Sequence, residues 1–116
     1  MERVFNKLVR DNIPDKIASN GEEAITRILD DDEYKIELYK KLLEEADEVI
    51  SSKDSFETLE ELADVLEILK SIAELHGKTI NDVLEIANQK RAKRGGFEKR
   101  IFLEKTFDKD DKKITK

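Results

Sequence analysis

Apolar residues recur at intervals of three and four along two stretches of the chain. Between Tyr34 and Ser51, the residues Leu38, Leu42, Leu43, Ala46, Val49 and Ile50 share one broad face at 100° per residue. Between Ser55 and His76, the same face is built by Leu59, Leu62, Val65, Leu66, Leu69 and Ile72. A start signal stands before each stretch: Asp30 with Glu33, and Asp54 with Glu57. Thr79 with Asp82 repeats the signal before a third helix over Ile80–Lys93. Gly77 ends the second long helix and Gly95-Gly96 ends the third, because glycine readily takes the left-handed conformation that closes a helix. Asn12-Ile13-Pro14 predicts a short capped helix that Gly21 stops.

Two segments read as strands. Residues 24–29 are rich in β-branched side chains between Gly21 and the Asp30-Asp31-Asp32 run, and 100–104 alternate in polarity. Val4–Val9 is expected to be extended. The expected fold is therefore mainly α: an antiparallel helical bundle with a small peripheral β hairpin from 24–29 and 100–104. One domain covers 1–104, and the Lys- and Asp-rich tail 105–116 is expected to fray. About three residues separate the two long helices, so they must fold back on each other. Their apolar arcs are too broad for a two-helix hairpin to cover. A third helix and a second subunit are expected to supply the rest.

The polar residues of the same helices carry the candidate chemistry. Glu44, Glu45 and Glu48 lie on the first, and Glu61 and Asp64 on the second. Spacings of three place Glu45 with Glu48, and Glu61 with Asp64, on single faces. At 1.5 Å per residue from the turn, all four come within about two helical turns of one level. Glu61 and Asp64 also share a column with Ile68 and Leu75. A solvated stripe would not turn apolar further along, so these acids are expected to face a neighbour and to be partly buried. Carboxylates gathered there repel and raise one another's pKa values. The nearest bases, Lys40 and Lys41, lie a turn or more away, so no fixed cation is expected beside the cluster. A divalent ion would resolve the repulsion, and an all-oxygen set suits Mg²⁺ or Mn²⁺ rather than Zn²⁺. Such a site in turn suggests a phosphate substrate.

Composition narrows the alternatives. The 116 residues hold 28 acids against 22 bases, a net charge of −6, which argues against a nucleic-acid polymer as partner. There is no cysteine and one histidine, His76, which excludes disulfides, thiolate sites and a nucleophilic Cys. Its place before Gly77 reads as a helix cap rather than a catalytic base. No apolar run approaches a membrane span, and Met1 opens into charged sequence, so a cytoplasmic protein with no membrane partner is expected.

Four motifs follow in one order: Lys7-Leu-Val-Arg-Asp-Asn-Ile-Pro14, Glu44-Glu-Ala-Asp-Glu48, Glu61-Leu-Ala-Asp64, and Lys90 with Arg94-Gly-Gly-Phe97. Together they resemble the MazG-like all-α nucleotide pyrophosphohydrolases, in the branch similar to phosphoribosyl-ATP pyrophosphohydrolase. The resemblance spans about residues 3–104. It implies hydrolysis of a nucleoside triphosphate or related nucleotide to the monophosphate and pyrophosphate, with Mg²⁺ (Mn²⁺ as the alternative) as cofactor. It implies Glu45, Glu48, Glu61 and Asp64 as metal ligands, and Glu44 or Glu48 as the group that orients or deprotonates water. It implies substrate contacts from Lys90 and Arg94 and an assembly as homodimer or homotetramer. For Lys7 and Arg10 two readings stand side by side: a substrate contact, or an ion pair tying the N-terminal segment to the bundle. The competing function is a non-catalytic helical interaction protein that uses its acidic surface to bind a basic partner.

Overall fold

The computed structural model describes residues 1–109. Residues 110–116 of the tail expected to fray lie outside them. The described residues form four α-helices: α1 (Ile13–Ser19), α2 (Asp31–Ser51), α3 (Ser55–Leu75) and α4 (Ile80–Arg94). They divide into two compact units, Met1–Val83 and a second beginning at Leu84.

The helix limits follow from local chemistry. Asp30 accepts a hydrogen bond from the Glu33 N–H at 2.9 Å, and Asp54 accepts one from the Glu57 N–H at 2.8 Å. Each such cap satisfies one of the four donors that a helix start leaves without an intrahelical partner, and contributes on the order of 1 kcal/mol. At α4 the capping box is reciprocal: the Thr79 N–H donates to Asp82 Oδ2 and the Asp82 N–H donates to Thr79 Oγ1. α2 begins three residues before the expected Tyr34, because Asp31 and the residues after it already follow a formed cap. At α1 the start is as expected from Pro14, but the Asn12 side chain makes no capping bond; its carbonyl accepts from the Lys16 N–H instead. Two helices close the same way. Gly21 (φ 84°) and Gly77 (φ 73°) take the left-handed conformation. The N–H groups after α1 reach Ala18 and Ile17, and those after α3 reach Glu74 and Ala73, the paired return bonds of a Schellman closure. His76 is the α3 C-cap residue, as its place before Gly77 suggested.

α2 and α3 pack against each other across the turn Ser52-Lys53-Asp54. That turn is stapled by hydroxyls: Ser52 Oγ lies 2.6 Å from Thr58 Oγ1, and each also donates or lies close to a backbone carbonyl, Val49 O at 2.7 Å and Asp54 O at 2.9 Å. Leu38 of α2, and Ile68 and Ala73 of α3, are the buried apolar residues. Tyr34, Leu42 and Val49 of α2 and Val65, Ile72 and Leu75 of α3 are half-buried around them.

The face of α3 that closes is the one expected to meet a neighbour, the column that carries Glu61 and Asp64. At 100° per residue, Glu61, Asp64, Ile68 and Leu75 form one column on α3, whereas Leu59, Leu62, Leu66 and Leu69 are centred roughly 150° away. The hairpin closes on the mixed column. The wholly apolar stripe stays open, with Leu59 65% and Leu66 51% exposed, as do Leu43 (71%) and Ile50 (81%) on α2. The apolar arcs are thus uncovered within this unit.

The expected peripheral β hairpin is absent from the described residues. Neither 24–29 nor 100–104 forms a strand. β-branched composition signals a fit to a pleated, half-buried surface, and a strand exists only where a neighbour accepts its ladder of hydrogen bonds. Ile25 and Ile28 stand in solvent without such a neighbour. Val4–Val9 is interrupted as well, since Asn6 has φ 47°. No described helix is long and apolar enough to cross a membrane.

Candidate functional site

The mixed face on which α2 and α3 close brings the acids together. One carboxylate oxygen each from Glu45, Glu61 and Asp64 lie within 4.8 Å of one another, as do those of Glu44, Glu45 and Glu48. Glu45 belongs to both groups, so it joins the two motifs. The short turn between the helices fixes their register. Both motifs begin a few residues from Ser52–Asp54, and antiparallel helices of equal rise bring equal heights together.

Burial is uneven. Glu45, Glu61 and Asp64 are half-buried, and Glu48 is exposed. The Glu45 side chain keeps 13% of its surface. Two oxygens, Glu45 Oε2 and Glu61 Oε2, are shut off from solvent and have no hydrogen-bond partner. An ionised oxygen in that position loses hydration with nothing in return, which costs several times the worth of an ordinary hydrogen bond.

The electrostatics follow. Glu61 is pushed up to about 7, first by the neighbouring Glu48 carboxyl, with which it can form a hydrogen bond only when one of the two is protonated. Burial adds to this, and so does repulsion from Glu48, Asp64 and Glu45. Glu45 is raised too, chiefly by burial and then by Glu48. Both shifts mark a site short of positive charge.

Two cations nevertheless reach the cluster, contrary to the sequence expectation that none stands beside it. Lys41 Nζ lies 3.7 Å from Glu44 Oε1 and 3.9 Å from Glu45 Oε1. One turn of separation along α2 is the spacing at which side chains meet, so this contact was open to sequence reasoning and was missed. The second is Arg10, whose Nη2 donates to Asp64 Oδ1 at 2.6 Å. Of the two readings for Arg10, this is the ion pair that ties the N-terminal segment to the bundle. Lys7 is placed differently, with Nζ 5.8 Å from the centre of the Phe5 ring. Lys90 and Arg94 are exposed residues of α4 within the second unit. Arg91 of the same helix pairs with Glu98 across Gly95-Gly96.

The donor set admits a hard cation. Mg²⁺–O bonds of about 2.0–2.1 Å set ligand oxygens at most about 4.2 Å apart. The ligand oxygens all lie within 4.8 Å of one another, so any adjustment needed to meet that limit is within reach of a side-chain rotation. The unpartnered oxygens of Glu45 and Glu61 are what such an ion would satisfy. Comparison of the chain with family models, curated proteins and solved structures finds no match.

Proposed function

We propose that the protein is a Mg²⁺-dependent nucleotide pyrophosphohydrolase of the MazG-like kind. The observation that carries this reading is the pair of buried, unpartnered oxygens on Glu45 and Glu61 within one carboxylate triad. An acidic interaction surface would present its charge to a partner and has no use for oxygens closed off from it. The order of the four motifs along the chain adds to this.

In this reading Glu45, Glu48, Glu61 and Asp64 hold the ion, with Mn²⁺ as the alternative to Mg²⁺. When bound, it neutralises phosphate oxygens and lowers the pKa of a coordinated water. Glu44 or Glu48 accepts the proton of the attacking water; both share a helix face with Glu45. Water adds across the α–β phosphoanhydride bond of a nucleoside triphosphate or related nucleotide. The bridging oxygen leaves with pyrophosphate, and the monophosphate remains. Lys7 and, once released from Asp64, Arg10 are substrate cations of this reading, each offering charge to phosphate oxygens; the same role for Lys90 and Arg94 rests on the resemblance alone. The open apolar stripes of α2 and α3 are covered by a second copy of the chain, in a homodimer or homotetramer. A cytoplasmic place agrees with a nucleotide substrate.

The test is a pyrophosphate-release assay across a panel of nucleotides with Mg²⁺, comparing the wild-type protein with Glu61→Gln. Metal-dependent release that the substitution abolishes supports the reading. No release from any nucleotide would leave the acidic interaction protein as the better account.

A further inference from the structure

Two of the three acids of the triad already have a cation beside them, and each from a different part of the chain. Glu45 has the Lys41 ammonium at 3.9 Å. Asp64 has the Arg10 guanidinium at 2.6 Å. Lys41 belongs to the same helix as its partner and moves with it. Arg10 does not: it arrives from the segment before α1, 54 positions away in sequence.

We propose that Arg10 is a built-in, displaceable counter-cation of the acid cluster, which a divalent cation must remove from Asp64 in order to bind. The proposal rests on the reading of the triad as a cation site. Its second support is the contact itself, since Arg10 is a cation from outside the cluster seated on one of its oxygens. The pair is also exposed, with 58% of the Arg10 side chain and 42% of the Asp64 side chain open to solvent. Exposed ion pairs are weak, so a multidentate cation outcompetes one readily. Asp64 cannot serve both at once through Oδ1, because that oxygen lies at hydrogen-bond distance from a group of the same charge as the incoming ion.

Two consequences follow. Metal binding unties the 7–12 segment from α3. It also frees the planar, bidentate guanidinium of Arg10 for an anion, so that a phosphate reaching Arg10 finds it available only after the cation has bound. The structure thus contains a lock that the cation opens from the side of the cluster.

Calorimetric titration with Mg²⁺ and Mn²⁺ at matched ionic strength tests this, using the full chain, Arg10→Gln and Lys7→Gln. A competitor of the strength usual for exposed pairs weakens apparent affinity about two- to six-fold, so Arg10→Gln should bind the cation tighter by that factor. Lys7→Gln removes the same charge from the same segment and should change little; an equal gain in both variants would reduce Arg10 to a general field effect and overturn the proposal. Hydrogen exchange of amides 7–12 supplies a readout that needs no variant. It should quicken when Mg²⁺ is added to the wild-type protein, and should already be fast in Arg10→Gln. Slower exchange on adding Mg²⁺, or unchanged affinity in Arg10→Gln, would overturn the proposal while leaving the cation site standing. Asp64→Asn and Glu61→Gln separate the two ideas: undiminished cation binding in both would remove the site and the proposal together.

Discussion

The raised pKa of Glu61 makes a quantitative demand on cation binding. A metal ligand must be ionised, so each cation that binds below the Glu61 pKa expels a proton. With that pKa at about 7, about one Glu61 in eleven is ionised at pH 6 and about ten in eleven at pH 8. The apparent affinity for Mg²⁺ should therefore be about tenfold weaker at pH 6 than at pH 8. At pH 7 about half a proton should be released per ion bound. Calorimetry in two buffers of different ionisation enthalpy measures both quantities. Glu61→Gln removes the titrating group; it should weaken binding at pH 8 and flatten the profile between pH 6 and 8. A wild-type profile that is already flat would mean that Glu61 does not hold the ion, and the triad would lose a member. Proton release that persists in Glu61→Gln would place the linked proton on another group.

Three further outcomes are expected. Stability without metal should fall as pH rises from about 5 to 8: the folded protein holds protons on Glu61 and Glu45 that the unfolded chain has already lost, so deprotonation on the way through about 7 favours unfolding, and thermal melts across that range measure it. At ten times its dissociation constant Mg²⁺ should add about 1.4 kcal/mol, a melting shift of several degrees that NaCl at equal ionic strength does not reproduce; a melting temperature indifferent to tens of millimolar Mg²⁺ would count against the cation site. Asp64→Asn should lower Mg²⁺-dependent turnover by at least about 100-fold while circular dichroism shows the helices intact, and near-normal activity would sink the assignment.

The helices were legible in the sequence because their ends depend on residues next to them. Asp30, Asp54 and the Thr79–Asp82 box each act within three positions. The acid cluster was legible for a related reason: a three-residue turn fixes the heights of both motifs. Its partial burial could be argued from Ile68 and Leu75 in the column of Glu61 and Asp64. What periodicity could not decide was how much of the wholly apolar stripe, roughly 150° around α3 from that column, the hairpin would leave open. Nor could it show that 24–29 lacks a strand partner, because pairing is a property of two segments and β-branching of one. The Arg10–Asp64 contact spans 54 positions with no periodic signal linking its ends, and only the folded chain shows it.

The three-residue turn between α2 and α3 has a kinetic consequence. Glu44 and Asp64 are close in sequence, so the loop that must close to bring the motifs together is short and its entropy cost small. Contacts of this kind form early, within the time a helical hairpin takes to zip, and before a segment as remote as residues 7–12 can dock. The carboxylates therefore meet while the Arg10 charge is still elsewhere. Their mutual repulsion opposes the zipping step itself, and the burial of Leu38 and Ile68 offsets it.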